Sequence, residues 1–346
     1  MQNTTTESAG AVYVQTNDPD VNEVVAYRRA KDRALAALGR YPTGGRGNGK
    51  PHLPSQSSLI LARDGRMLLV ANTGSADVSV FTVGVDGLGP ASLVPSGGAA
   101  PTSVAVHEQH VYVLNTGGEP NVAGFLLGAE GTLEALPDST RPLPGSNPAQ
   151  VAFSPDGRTL VVTDRATNSI VVFAADADGY LTGPALVPSS GATPYGFDFA
   201  GTRTIVVTEA FGGAVGAAAA SSYGLADGSA ALVSGSVPNT RSEVCWAVVS
   251  KNERFAYVTN FGDGTISSYR IGGDGSLELL EAVAASTVAG EKGVRDEALS
   301  ADGRFLYALD ADARKVFGWS VGEDGSLAPV GVVDGLPPTA AGLAAH

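Results

Sequence analysis

Cysteine is close to absent: Cys245 stands alone in 346 residues, which excludes an internal disulfide and any zinc site built on several thiolates. Long apolar runs are missing too. No stretch approaches the ~18–20 residues that a membrane-spanning helix needs. Cations are few, with 22 Lys and Arg against 35 Asp and Glu and a formal net charge of −13. That balance repels phosphate backbones and anionic headgroups, so neither nucleic acid nor membrane is an expected partner. The opening segment MQNTTTESAG has no basic stretch followed by an apolar one, as a secretory leader would. The cytoplasm is therefore the expected compartment, with secretion the alternative if a leader was removed.

What the chain has instead is glycine, 45 residues of it, and one pattern written repeatedly. The pattern returns roughly every 45–50 residues, a period that marks a propeller or solenoid. Residues 54–81 read PSQSSLILARDGRMLLVANTGSADVSVF, residues 100–125 APTSVAVHEQHVYVLNTGGEPNVAGF, and residues 147–173 NPAQVAFSPDGRTLVVTDRATNSIVVF. Weaker copies begin at Thr193, Ser242 and Gly293. Each holds two short apolar strands joined by a tight turn, then a third strand. A fourth is implied by tails such as YLTGPALVPSS and SLELLEAVAAS, which follow Asp-Gly or Glu-Gly hairpin signals.

Four antiparallel strands per repeat make a propeller blade. Six copies are complete, and the chain ends read as the parts of a seventh. Residues 11–28 supply its second and third strands and residues 35–44 its fourth. The missing innermost strand matches the C-terminal PPTAAGLAAH. Closure by both ends leaves no open sheet edge. The expected fold is all-β: a seven-bladed β-propeller of four-stranded antiparallel blades, one domain over residues 11–346 behind a loose tail at 1–10. A ring closed within one chain is complete as a monomer; the oligomeric state is left open.

Propeller geometry sorts residues by face. Loops leading into the first strand of each blade share a face, the channel mouth, with the turns between second and third strands. The Asp-Gly-Arg turns lie on the back. Only His52 among the histidines falls at the mouth, where a lone loop imidazole is most often a solvated turn residue and otherwise a candidate acid–base. Arg165, Arg241 and Arg295 also go to the mouth, beside the carboxylates Glu209, Glu243 and Asp296 and the aromatics Tyr195, Phe211 and Trp246. Guanidinium forks suit a carboxylate or phosphate. Aligned inner strands put Ser58, Ser103, Gln150, Gly196, Trp246, Asp296 and Ala340 at one position, which lines the channel or points into the next blade. The densest chemistry is RSEVCW (241–246) and VRDE (294–297). A carboxylate base with an arginine for the oxyanion is what lactone hydrolysis needs; Arg–Asp pairs that pin adjacent blades are the structural counterpart.

Two further signals carry less weight. GGRGNGK (44–50) imitates a phosphate loop, but Pro51 stands where Ser or Thr would hold magnesium and no helix follows. It is expected to be a flexible insertion at the mouth. Asn17, Asn72, Asn115, Asp164, Glu209, Asn260 and Asp310 end the second strands. A ring of calcium ligands is conceivable there, but periodic Asx-type turn closure is the favoured role. No metal or cofactor is expected.

The stretches FSPDGRTLVVTD, FAYVTNFGDGTISSY and LSADGRFLYALD resemble the seven-bladed lactonase family, which includes propeller-type 6-phosphogluconolactonases and fungal carboxymuconate lactonizing enzymes. A looser likeness is to the YVTN-repeat propellers. The resemblance covers essentially the whole chain and rests mostly on strand and turn positions. It implies a hydrolase acting on a small lactone or related carboxylate, with a lactonizing lyase or isomerase, or a non-catalytic binding propeller, as alternatives. Family members tend to carry Pro-Arg-His or Pro-His at the inner-strand starts. Here those read NPAQ, TPYG and APTS, without histidine, whereas Glu209 in VVTEAFGG matches the family's Val-Asn-Glu. The site expectations are Glu209, Glu243, Asp296 and His52 as acid–base candidates, with Arg241, Arg295, Arg165, Tyr195, Phe211, Trp246 and Gln150 binding the substrate.

Overall fold

The computed structural model describes residues 10–30, 34–50, 53–226, 228–288 and 290–346. Its strands form seven sheets arranged as successive blades, and the only helical element among these residues is one 3-10 turn, Phe211–Gly213. Blade I opens with Leu59–Ala62, blade II with Ala99–His107, blade III with Pro148–Phe153 and blade IV with Pro194–Ala200. Blade V opens with Val244–Val249 and blade VI with Val294–Leu299. Each then runs outward in chain order; in blades I and II the outermost strand is split into two short segments.

Blade VII is assembled from both ends. Ala341–Ala345 is its inner strand and pairs with Ala11–Gln15 in the register Val12↔Ala345, Tyr13↔Ala344, Val14↔Leu343. Glu23–Arg29 and Leu35–Pro42 follow outward. The join is tied by backbone bonds from the His346 amide to the Ala11 carbonyl at 2.8 Å and from the Ala11 amide to the His346 carbonyl at 3.2 Å.

The core lies between blades rather than within one. Each gap between neighbouring blades holds its own cluster of buried apolar side chains, among them Val206, Trp246 and Tyr269 between IV and V, and Val12, Tyr307 and Leu343 between VI and VII. Strands covered on both faces read as continuous apolar runs for this reason.

The recurrent Ser-x-Asp-Gly-Arg turn has a local physical cause. In blade III the Ser154 hydroxyl donates to Asp156 at 2.7 Å and accepts from the Thr159 amide at 3.0 Å, while Gly157 takes φ +71°. Ser300 and Asp302 repeat this in blade VI, and Ser250 and Asn252 in blade V. The side chains satisfy backbone groups that the two-strand reversal leaves open.

Candidate active site

The axis is not open at the mouth. The loop leading into blade I crosses it, and the Gln56 side chain donates to the Ala247 carbonyl of blade V at 2.8 Å and accepts from the Ala247 amide at 3.3 Å. Ser55 donates to the Ala149 carbonyl of blade III, and Ser103 of blade II donates to the Gln56 carbonyl at 2.6 Å. Below this plug the channel is a cavity of about 350 Å³ lined by the inner strands toward the back face.

The mouth chemistry gathers off the axis, over blades IV to VI, in a separate pocket of about 450 Å³. Its origin is a repeated irregularity. Each inner strand here carries a bulge near its start, with register shifts between Pro194 and Phe197, Val244 and Ala247, and Val294 and Asp296. Tyr195, Cys245 and Arg295 fall at these bulges, and all three line the pocket. A bulge inserts a residue outside the ladder and re-aims its side chain. The turns after the second strands complete the wall with Ala210, Gly212 and Phe261.

Charge surrounds one ring. The Arg295 guanidinium lies 4.7 Å from the Phe261 centroid and the Lys292 ammonium 5.6 Å from it. Lys292 Nζ is 2.6 Å from Glu243 Oε1, and Arg295 Nη2 is 2.9 Å from Asp312 Oδ1. Opposite, Arg165 covers the Tyr195 ring at 4.7 Å and donates to its hydroxyl at 3.0 Å. Burial raises the Tyr195 phenol, so it stays protonated at neutral pH. Trp246 packs beneath Tyr195 with centroids 4.9 Å apart, buried rather than lining the pocket. Burial pushes the Cys245 thiol up to about 12, which leaves it a thiol and not a nucleophile.

Several expected residues sit elsewhere. Glu209 is fully buried and its carboxylate accepts from the Gly191 amide at 2.8 Å, from Ser221 at 2.6 Å and from Ser236. That arrangement ties the loop entering blade IV to the blade's two outer strands. Asn72, Asp164 and Asp310 are engaged likewise by their own turns and neighbouring loops. Among the described residues no group of His, Cys, Asp or Glu is placed to hold a metal ion. Arg241 lies 3.9 Å from Asp263, outside the pocket wall, and Phe211 packs against Gly191. Gln150 clamps blade III to blade IV through both polar groups of Phe197. The GGRGNGK loop is docked: Asn48 and Lys50 are tied to Asn17. His52 lies outside the described residues.

The VRDE segment is divided by its bulge. Arg295 faces the mouth pocket, whereas Asp296 lines the channel and accepts from the Glu297 amide at 2.9 Å and the Leu343 amide of blade VII at 3.1 Å. Asp198, a residue the sequence pattern did not single out, sits in the same channel and accepts from the Val249 amide at 2.7 Å. Burial raises Asp296 to about 7 and Asp198 to about 6. Glu297, with neither oxygen hydrogen-bonded, is held well above the usual carboxylate range by burial first and by these two acids next. Asp312 and the Ser55–Gln56 plug also escaped the sequence pattern; the only signal for the plug was a run of four polar residues, 55–58, ahead of the first inner strand.

The sequence matches the family model described as lactonase, 7-bladed beta-propeller, over residues 121–215 and 206–339. No curated protein matches it. Similar solved structures include a putative 6-phosphogluconolactonase from Bacteroides fragilis, 18% identical over 96% of this chain and 99% of that one, with a TM-score of 0.71. The periplasmic gluconolactonase of Pseudomonas aeruginosa is 20% identical over 95% and 98%, with a TM-score of 0.73. A protein from Lactobacillus plantarum is 16% identical over 98% and 99%, with a TM-score of 0.76. At such identities the structures share a fold. The family match spans more than half of the sequence and coincides with seven blades closed by the two chain ends: this chain belongs to the seven-bladed β-propeller lactonase family.

Proposed function

We propose that the protein hydrolyses a small lactone in the pocket over blades IV to VI, with Glu243 as general base and Arg295 and Lys292 as the anion-holding pair. The observation that carries this reading is the meeting of Glu243, Lys292 and Arg295 around Phe261, from loops of two consecutive blades. Glu243 takes a proton from a water as its oxygen bonds to the lactone carbonyl carbon. The carbonyl oxygen becomes the oxyanion, which the two cations stabilise. Collapse re-forms the carbonyl and breaks the ring C–O bond, and the leaving oxygen takes the proton back from Glu243. The product acid then loses its remaining proton to solvent, and the carboxylate lies against Arg295, whose guanidinium suits it.

Replacing Glu243 with Gln keeps the side chain's size and removes the base. Hydrolysis of the best substrate in a lactone panel, followed by acid release, is expected to fall about 10²–10⁴-fold in kcat. Retention of the full rate rejects Glu243 as the base.

A further inference from the structure

Resting on that hydrolytic assignment, we infer that the pocket selects an apolar, aromatic or alkyl-substituted lactone bearing at most one anionic group, and discriminates against polyhydroxylated sugar lactones. The argument is a count of open hydrogen-bond partners. A sugar lactone brings several hydroxyls, each of which loses its water on binding and needs a replacement.

The wall offers few. Its side chains are Tyr195, Phe261, Ala210, Val244, Cys245 and the methyl-bearing Thr193, beside the charged pair Glu243 and Arg295. Four of the backbone donors around it are already engaged. The Ala210 amide donates to the Thr193 carbonyl at 3.0 Å, Gly213 to the Ala210 carbonyl at 2.9 Å, and Phe261 to the Glu243 carbonyl at 3.0 Å. The Gly212 amide donates to the Thr193 hydroxyl at 3.0 Å. The Cys245 thiol is directed at the Glu243 carbonyl, 3.4 Å away. What the pocket does provide is aromatic surface: the Tyr195 ring, covered by Arg165, and the Phe261 ring, with Arg295 and Lys292 beside it. A flat or alkyl ring fits against such surfaces, with a single carbonyl or carboxylate turned toward Arg295.

Each hydroxyl left without a partner weakens binding about tenfold, so two of them separate the substrate classes about 100-fold. The test compares dihydrocoumarin with glucono-δ-lactone as kcat/KM divided by the spontaneous hydrolysis rate. The two product acids, 3-(2-hydroxyphenyl)propanoate and gluconate, are compared in parallel by calorimetry. The expected result is an advantage of about 100-fold for the aromatic lactone, and tighter binding of the aromatic acid, lost on Phe261→Ala. A normalised preference for glucono-δ-lactone overturns the selectivity and leaves hydrolysis standing. If neither lactone turns over but the aromatic acid alone binds, hydrolysis falls and the apolar selectivity holds. If neither acid binds, the selectivity is overturned.

Discussion

Asp296 offers a test of the channel that does not depend on any substrate. The residue is 3% exposed, and its carboxyl is raised from 3.8 to about 7, chiefly by burial, with the Glu297 and Leu343 amides pulling the other way. A carboxyl raised in the folded state favours folding most below its unfolded value, where both states are protonated. As pH climbs from about 4 to 7 the unfolded chain ionises first, and stability is lost until the folded group ionises too. A shift of that size corresponds to about 4 kcal/mol across the window, at ~1.36 kcal/mol per pH unit of separation. Asp296→Asn removes the titration. Its amide nitrogen meets one of two backbone N–H groups, a pH-independent loss of about 1–3 kcal/mol. Urea unfolding of both proteins between pH 4 and 8 should therefore show curves that cross: the variant is less stable in acid and gains on the wild type by about 4 kcal/mol toward neutral pH. A difference that stays constant with pH refutes the reasoning, because it means that Asp296 ionises as it would in water and the channel does not desolvate it.

Arg295 and Arg241 should part company. Arg295→Ala is expected to lower kcat/KM for a lactone about 10²–10³-fold, while Arg241→Ala, whose guanidinium faces Asp263 outside the pocket wall, should leave the rate within about twofold; equal losses would reject the placement of the site. Gln56→Ala strips both polar groups of Ala247 of their partner, so chemical denaturation should show a loss of about 2–4 kcal/mol with KM unchanged. A shifted KM would move the site onto the axis. Cys245, with its thiol raised to about 12, should resist iodoacetamide at pH 7.5 in the native state and react on unfolding; rapid native labelling would contradict its burial.

The blades were legible because their information is local and repeated. Ser154, Asp156 and Gly157 close their turn with groups only a few residues apart, and the same chemistry recurs at Ser300, Asp302 and Gly303. Closure by the two ends was legible because the C-terminal strand repeats the pattern of the other inner strands, and Val14↔Leu343 is where that pattern lands. Side-chain direction was legible only in part. Aligning the inner strands put Gln150 and Asp296 at one position, and both do reach the adjoining blade, through Phe197 and Leu343. The residues immediately before Trp246 and Asp296 are the ones that face the pocket, and a strict two-residue alternation gives no warning of that. A bulge at each strand start interrupts the alternation where the chemistry lies.

The same interruption explains why one repeat yields a ring of blades but a one-sided site. The bulge position recurs, yet its occupant differs: Tyr195 in blade IV, Cys245 in blade V and Arg295 in blade VI face one pocket. Tyr195 and Arg295 are long enough to reach across to neighbouring loops, Tyr195 to Arg165 and Arg295 to Asp312 and Phe261. In blade III the adjacent carbonyl, that of Ala149, is taken by Ser55 of the plug. The loop that closes the axis thus spans it, from Ala149 of blade III to Ala247 of blade V. The open volume lies over blades IV to VI, where the bulge positions carry an aromatic ring, a thiol and a guanidinium. Similar backbones in blades IV to VI thus leave the chemistry of the site to the side chains at one register position.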